Sequence, residues 1–234
     1  MELDEAAREF QEFVSVIQAL RTPVTGCPWD LEQDHRTLRR YLIEEAYEVL
    51  DAIERADDAA LQEELGDVLL QVVLHAQVAA DRSAFAIPAV VRGIKEKMIR
   101  RHPHVFGDVR VASSDEVKQH WERIKATEKA GQAVEKSPRV PESLPALLRA
   151  QKLGEVAPQP SGDLPGVREA FAALEVALRD THEGTQARLE WCIGELFFAL
   201  AQLARQHGVD AEASLRAANQ RFERTASATH ESSS

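Results

Sequence analysis

The sequence has 234 residues, 44% of them hydrophobic, with 39 acidic side chains against 28 lysines and arginines for a formal charge of −11. That length and apolar content support one large or two small domains with real cores and exclude a disordered chain. The charge excludes broad nucleic-acid or membrane-surface binding, which needs a basic face, and leaves room only for a local basic cluster holding a small anion.

Helical periodicity dominates in chain order, no β-alternation of any length is found, and the expected class is all-α. The first amphipathic helix covers 3–21. Its acidic opening, MELDEAAREF, is unlike the basic start and apolar middle of a signal peptide, so a cytoplasmic setting is expected. A loop follows with Pro23, Gly26 and Pro28, containing the segment GCPWD. A second helix spans 38–55, with Leu42, Ile43, Ala46, Val49, Leu50 and Ile53 as its apolar stripe. Asp57 or Asp58 can cap the third, 59–81, which is apolar nearly all round and calls for burial in its own subunit or against a partner. A fourth covers 87–101 and stops at His102–Pro103. Ser113 with Glu116 forms a capping box for a helix running to about 129. Residues 131–143 read as a linker, and further helices fit 144–154, 166–181, 186–207 and 210–226, with a Pro/Gly-rich stretch at 157–166. The two cysteines, Cys27 and Cys192, exclude a disulfide framework, and no Cys/His set has zinc spacing.

An internal repeat emerges on shifting the chain by 128 positions. The helical pair 40–81 then falls on 168–209, with Gly66 on Gly194, Asp67 on Glu195 and Ala76 on Ala204. The expected organisation is a module over 1–130, a linker at 131–143, and a related module over 144–234.

The first module carries EEAYE (Glu44, Glu45, Glu48) on one helix and ELGD (Glu64, Asp67) on the next. Glu45 with Glu48, and Glu64 with Asp67, are neighbours on a helix face, so two antiparallel helices can bring the pairs together. A solvated acidic face is the competing reading for Glu44 and Glu45. It fits Glu64 and Asp67 poorly, because they lie in the most apolar helix of the chain, where carboxylates need a partner or a metal. Oxygen-only ligands suit Mg²⁺, or Mn²⁺ as a substitute. Lys97 and Arg101 share a face of the fourth helix and can hold phosphate oxygens. Trp29 and Trp121 are candidates for stacking on a base. His75 reads as a satisfied core histidine.

Four ordered segments, GCPWDLEQDHRTL, YLIEEAYEVLDAI, ELGDVLLQVVLHAQ and RRHPHVFGD, resemble the successive signatures of the MazG family. The resemblance is strong over residues 10–130 and weaker over 144–226. It implies hydrolysis of a nucleoside triphosphate to monophosphate and pyrophosphate by a helical bundle completed through homodimerisation. It further implies Glu45, Glu48, Glu64 and Asp67 as metal ligands, with Glu44 beside them to orient or deprotonate water. Lys97 and Arg101 would hold the phosphates, and Trp121 would contact the base.

The repeat departs from this pattern in its second copy. Ala172, Ala173, Val176, Cys192 and Glu195 stand where the five acids would be, so that module is expected to be non-catalytic. Three other readings compete: a dUTP- or phosphoribosyl-ATP-type pyrophosphohydrolase on the same scaffold, a non-enzymatic helical interaction protein, and a di-iron bundle. The last needs two Glu-x-x-His pairs, and only Glu32 with His35 is present, in or beside the Pro/Gly loop.

Overall fold

The residue before His35 sets the entry into the helix that carries the first acids. Asp34 lies in extended backbone, and its carboxylate accepts from the Arg36 and Thr37 amides at 2.7 and 2.8 Å, while the Thr37 hydroxyl accepts from the Asp34 amide at 2.9 Å. This capping box satisfies amides that the first turn would leave orphaned. The helix therefore starts three residues before position 38, the start its apolar stripe predicts. The computed structural model describes residues 2–131, 140–156, 164–179 and 185–231.

In chain order the helices are α1 (Glu2–Leu20), α2 (Pro28–Glu32), α3 (His35–Arg55), α4 (Asp58–Asp81), α5 (Ile87–Arg101), α6 (Pro103–Phe106), α7 (Ser114–Gly131), α8 (Ala146–Val156), α9 (Leu164–Arg179), α10 (Thr185–Gln206) and α11 (Ala211–Glu231). The described residues contain no strand, so the all-α class holds. None of their helices is long and apolar enough to cross a membrane.

Two short helices fall where the sequence reads as loop or turn. Pro28 opens α2 and Pro103 opens α6, each at a first helical position where the missing N–H costs nothing. Ser113 and Glu116 form an altered box: the Ser113 hydroxyl accepts from the Glu116 amide at 3.2 Å, but the Glu116 carboxylate takes the Ala112 amide at 2.8 Å instead of that of Ser113. Glu32 ends α2 and His35 begins α3, so the single Glu-x-x-His spacing straddles a helix break and cannot present both groups on one face. Much of the expected linker (132–139) and of the Pro/Gly stretch (157–163) lies outside the described residues.

The chain divides into two compact units, Met1–Ala133 and Val134–Ser234. In the first, Ile17, Leu38, Val73, Leu74 and Val78 form the core, with Phe10, Phe13, Val14, Tyr41, Leu70 and Ile87 packed on it. α3 and α4 make a hairpin. Ala56 adopts the left-handed region (φ 52°) between them, and Asp57 caps α4 by accepting from the Ala60 amide at 3.1 Å. Two contacts fix the antiparallel register, His35 against His75 and Glu48 against Glu64. Buried Arg21 ties the end of α1 to its surroundings: its Nε donates to Asp81 at 2.7 Å and its Nη1 to the Asp30 and Gln33 carbonyls.

The buried face of α3 differs from the expected stripe. Leu38 and Ala52 are fully buried, whereas Leu42, Ile43 and Ile53 stay exposed. The reason is rotational. The strip that meets α4 runs through His35, Leu38, Tyr41, Glu45, Glu48 and Ala52, and leaves the second apolar strip facing outward. α4 repeats the pattern, with Val73, Leu74, Ala76 and Ala79 buried but Leu65, Leu69 and Val72 open.

In the second unit, α10 packs against α8, α9 and α11. Gln202, almost wholly buried, donates to the Ala150 carbonyl at 2.5 Å and accepts from Arg205 Nε at 2.8 Å. A Cβ on Gly154 would lie 1.9 Å from the Gln202 amide oxygen, so any side chain there would displace the Gln202 amide from its place between α8 and α10.

Candidate active site

The hairpin register brings the predicted acids together. One turn of α3 separates Glu45 from Glu48, and their partners on α4 are Glu64 and, one turn on, Asp67. Carboxylate oxygens of Glu45, Glu48 and Glu64 lie within 4.8 Å of one another. Glu48 lies close enough to Glu45 and Glu64 to raise both of their carboxyls, and a divalent cation relieves such crowding of like charges.

The electrostatics point the same way. Burial first, and then the charges of Asp67, Glu48 and Glu64, hold the Glu45 carboxyl above the usual carboxylate range. Glu64 is raised by burial and by Glu48, Glu63 and Asp67. Asp67 thus acts on both clustered acids, although its oxygens are not among the closest three. Four carboxylates repelling one another in a partly dry site form an oxygen donor set with surplus negative charge, which fits a divalent cation such as Mg²⁺ or Mn²⁺. Glu44 stands apart, exposed on α3, one turn after Arg40 and within its electrostatic reach. Glu63 is an addition that spacing alone does not single out.

The basic residues gather on the next helices. α5 packs on both α4 and α7. Arg101 Nη2 and Nε donate to Glu128 Oε2 at 2.6 and 3.1 Å, and Arg100 Nε donates to Glu128 Oε1 at 2.6 Å. The Arg101 guanidinium lies 5.3 Å from the Trp121 ring centre, and His102 meets the same ring edge-on at 4.9 Å. Arg101 and Trp121, read separately from the sequence, are therefore neighbours. Lys97 is half-buried on α5, one turn before Arg101. Trp29 is half exposed, and its ring partner is Tyr41 at 6.0 Å, one turn before Glu45. The part of Glu128 is new; an acid two turns after Trp121 on α7 was the available signal.

His75 is a satisfied histidine, as expected, and its partner is a second imidazole. Its Nδ1 lies 2.8 Å from His35 Nδ1, with the rings stacked at 5.1 Å, so one imidazole donates and the other accepts. In the second unit, Ala173, Cys192 and Glu195 line a cavity of about 290 Å³ together with Trp191 and Phe198. Cys192 is buried and Glu195 exposed.

Comparison with known proteins matches the stretch that carries the acids. The family model described as "MazG nucleotide pyrophosphohydrolase domain" covers residues 33–106, from the Asp34 cap through α6, and so includes all five acids, Lys97 and Arg101. The "Nucleoside triphosphate pyrophosphohydrolase/pyrophosphatase MazG" of Thermotoga maritima is 42% identical over 94% of this chain and 85% of that protein. The "Nucleoside triphosphate pyrophosphohydrolase" of Escherichia coli K12 is 40% identical over 92% of this chain and 85% of that protein. A Bacillus subtilis protein, YabN, is 41% identical over 92% of this chain but only 45% of its own length. These alignments extend well past the first unit into the second. The chain belongs to the MazG family of nucleotide pyrophosphohydrolases.

Proposed function

We propose that this protein hydrolyses nucleoside triphosphates, ribo- or deoxyribo-, to the monophosphate and pyrophosphate in a Mg²⁺-dependent reaction that clears nucleotides from the cytoplasmic pool. The observation that carries this reading is the meeting of Glu45, Glu48 and Glu64 oxygens within 4.8 Å on a hairpin whose second helix buries mainly apolar side chains. Glu45, Glu48, Glu64 and Asp67 would hold the metal. When bound there, a divalent cation neutralises the triphosphate and acidifies a water molecule.

The protein's own groups supply the rest. Glu44, next to Glu45 in sequence and exposed on α3, would orient the water or take its proton. The water oxygen bonds to the α-phosphorus, the bond from that phosphorus to the bridging oxygen breaks, and pyrophosphate leaves. Lys97 and Arg101 bind the β- and γ-phosphates and stabilise charge gathering on the leaving group. Trp121, beside Arg101, and Trp29, beside Tyr41, offer faces to the base. The second unit, with one exposed Glu195 where the first has its acids, serves stability, dimerisation or regulation and does no chemistry.

A panel of NTPs and dNTPs incubated with and without Mg²⁺ tests this reading. Monophosphate and pyrophosphate should appear only with the metal and should fall at least a hundredfold in Glu48→Gln, the scale of losing a ligand that fixes a catalytic metal. Diphosphate and orthophosphate as products would sink it.

A further inference from the structure

Glu128 takes up the Arg101 donors that the proposed function assigns to phosphate, together with one donor of the neighbouring Arg100. One carboxylate accepts three charge-assisted bonds from two guanidinium groups, at 2.6, 2.6 and 3.1 Å. Arg101 and Glu128 are mostly buried, with side chains 18% and 19% exposed, while Arg100 remains half in solvent. Bonds of this kind are short and strong, and a planar guanidinium fork fits a carboxylate and a phosphate by the same geometry. Arg101 Nε and Nη2 therefore cannot serve Glu128 and a phosphate oxygen together. The same helix carries Trp121 and Glu128, two turns apart on one face, so Trp121 covers the guanidinium that Glu128 occupies.

We propose that Glu128 is a displaceable internal counter-ion of the phosphate clamp, a carboxylate holding the Arg100–Arg101 site until a polyphosphate of higher charge takes it. The inference rests on Arg101 being a phosphate ligand. Two guanidinium groups against one carboxylate leave a net positive charge at the clamp, which draws an anion richer in charge. A triphosphate or pyrophosphate brings several negative oxygens and can supplant the single carboxylate. After the α–β bond is cut, Glu128 competes with pyrophosphate for the same donors and favours its departure. A nucleoside monophosphate, held by its α-phosphate at the carboxylate cluster, does not reach the clamp. Glu128 thus sets how strongly the enzyme holds substrate and pyrophosphate without altering its hold on the monophosphate.

The test uses the intact chain with Mg²⁺ and compares wild type, Glu128→Gln and Glu128→Asp. Glu128→Gln, which keeps the shape and loses the charge, should lower KM for the triphosphate and the inhibition constant of pyrophosphate by a matched factor of about ten, the scale of one charge-assisted hydrogen bond. Inhibition by the monophosphate should not change, and Glu128→Asp should fall between the two. Calorimetric titration with pyrophosphate gives the same comparison without turnover. Unchanged or raised KM and pyrophosphate constants in Glu128→Gln would overturn the proposal and make Glu128 an orienting partner of Arg101. Monophosphate affinity moving in step would overturn it as well. A wild-type protein that releases no pyrophosphate from any triphosphate would instead refute the proposed function.

Discussion

Glu64 shows what clustering four acids does to a single residue. Its carboxyl and that of Glu45 sit above the usual range, through burial first and neighbouring charges second. A raised folded-state pKa means the folded chain binds protons more readily than the unfolded one. The cluster's stabilising contribution is then complete below the ordinary carboxylate pKa and is lost as pH rises through the raised values. At neutral pH without a divalent cation the ionised cluster opposes folding. Glu64→Gln should therefore melt at a higher temperature than wild type in chelator, and the order should reverse when Mg²⁺ is added. Thermal melts under both conditions check this, and a Glu64→Gln protein that melts lower in chelator contradicts it. These acids were legible in the sequence because i,i+3 pairs share a face and because two of them interrupt an apolar helix. For Glu128 the sequence offered only its place two turns after Trp121, since its partners lie 27 and 28 residues away on another helix. Glu44 and Glu45 look alike in sequence, yet about 100° of helix rotation turns one toward α4 and leaves the other exposed.

The α3–α4 hairpin is the element that turns spacing into a site. Its existence was readable from two helical patterns and the Asp57 cap, but its register was not. That register rests on tertiary contacts such as His35 with His75, forty residues apart. The missed start of α3 has a local cause, the Asp34–Thr37 box, which lies outside the apolar stripe used to place the helix. Burial first, and the charge of His35 second, hold His75 below its ordinary value of 6.5. A depressed histidine pKa makes the unfolded chain the better proton binder. The stability this pair contributes is full above the ordinary value and lost as pH falls through it toward the folded one. Lowering pH from about 7 to about 5 should thus cost wild type more melting temperature than His75→Asn. Parallel loss in both proteins would show that the pair carries no such linkage.

For the whole molecule, the apolar strips left open on one chain matter most. Ile43, Ile53, Leu65 and Leu69 are between 41% and 53% exposed, all on the two helices that carry the acids. The sequence calls for burial of α4 nearly all round, in its own subunit or against a partner; the single chain covers one side only. We expect a second copy to cover the other, so sedimentation should give a homodimer, and Ile43→Glu with Leu69→Glu should yield monomers with reduced turnover. A wild type that sediments as a monomer while fully active would refute this. The most direct check of the central claim follows the oxygen atom. Triphosphate hydrolysed in ¹⁸O-water with Mg²⁺ and read by ³¹P NMR should place the label on the monophosphate alone, with unlabelled pyrophosphate and no comparable turnover by Glu48→Gln. Label on pyrophosphate or orthophosphate, or full activity in Glu48→Gln, would contradict the account.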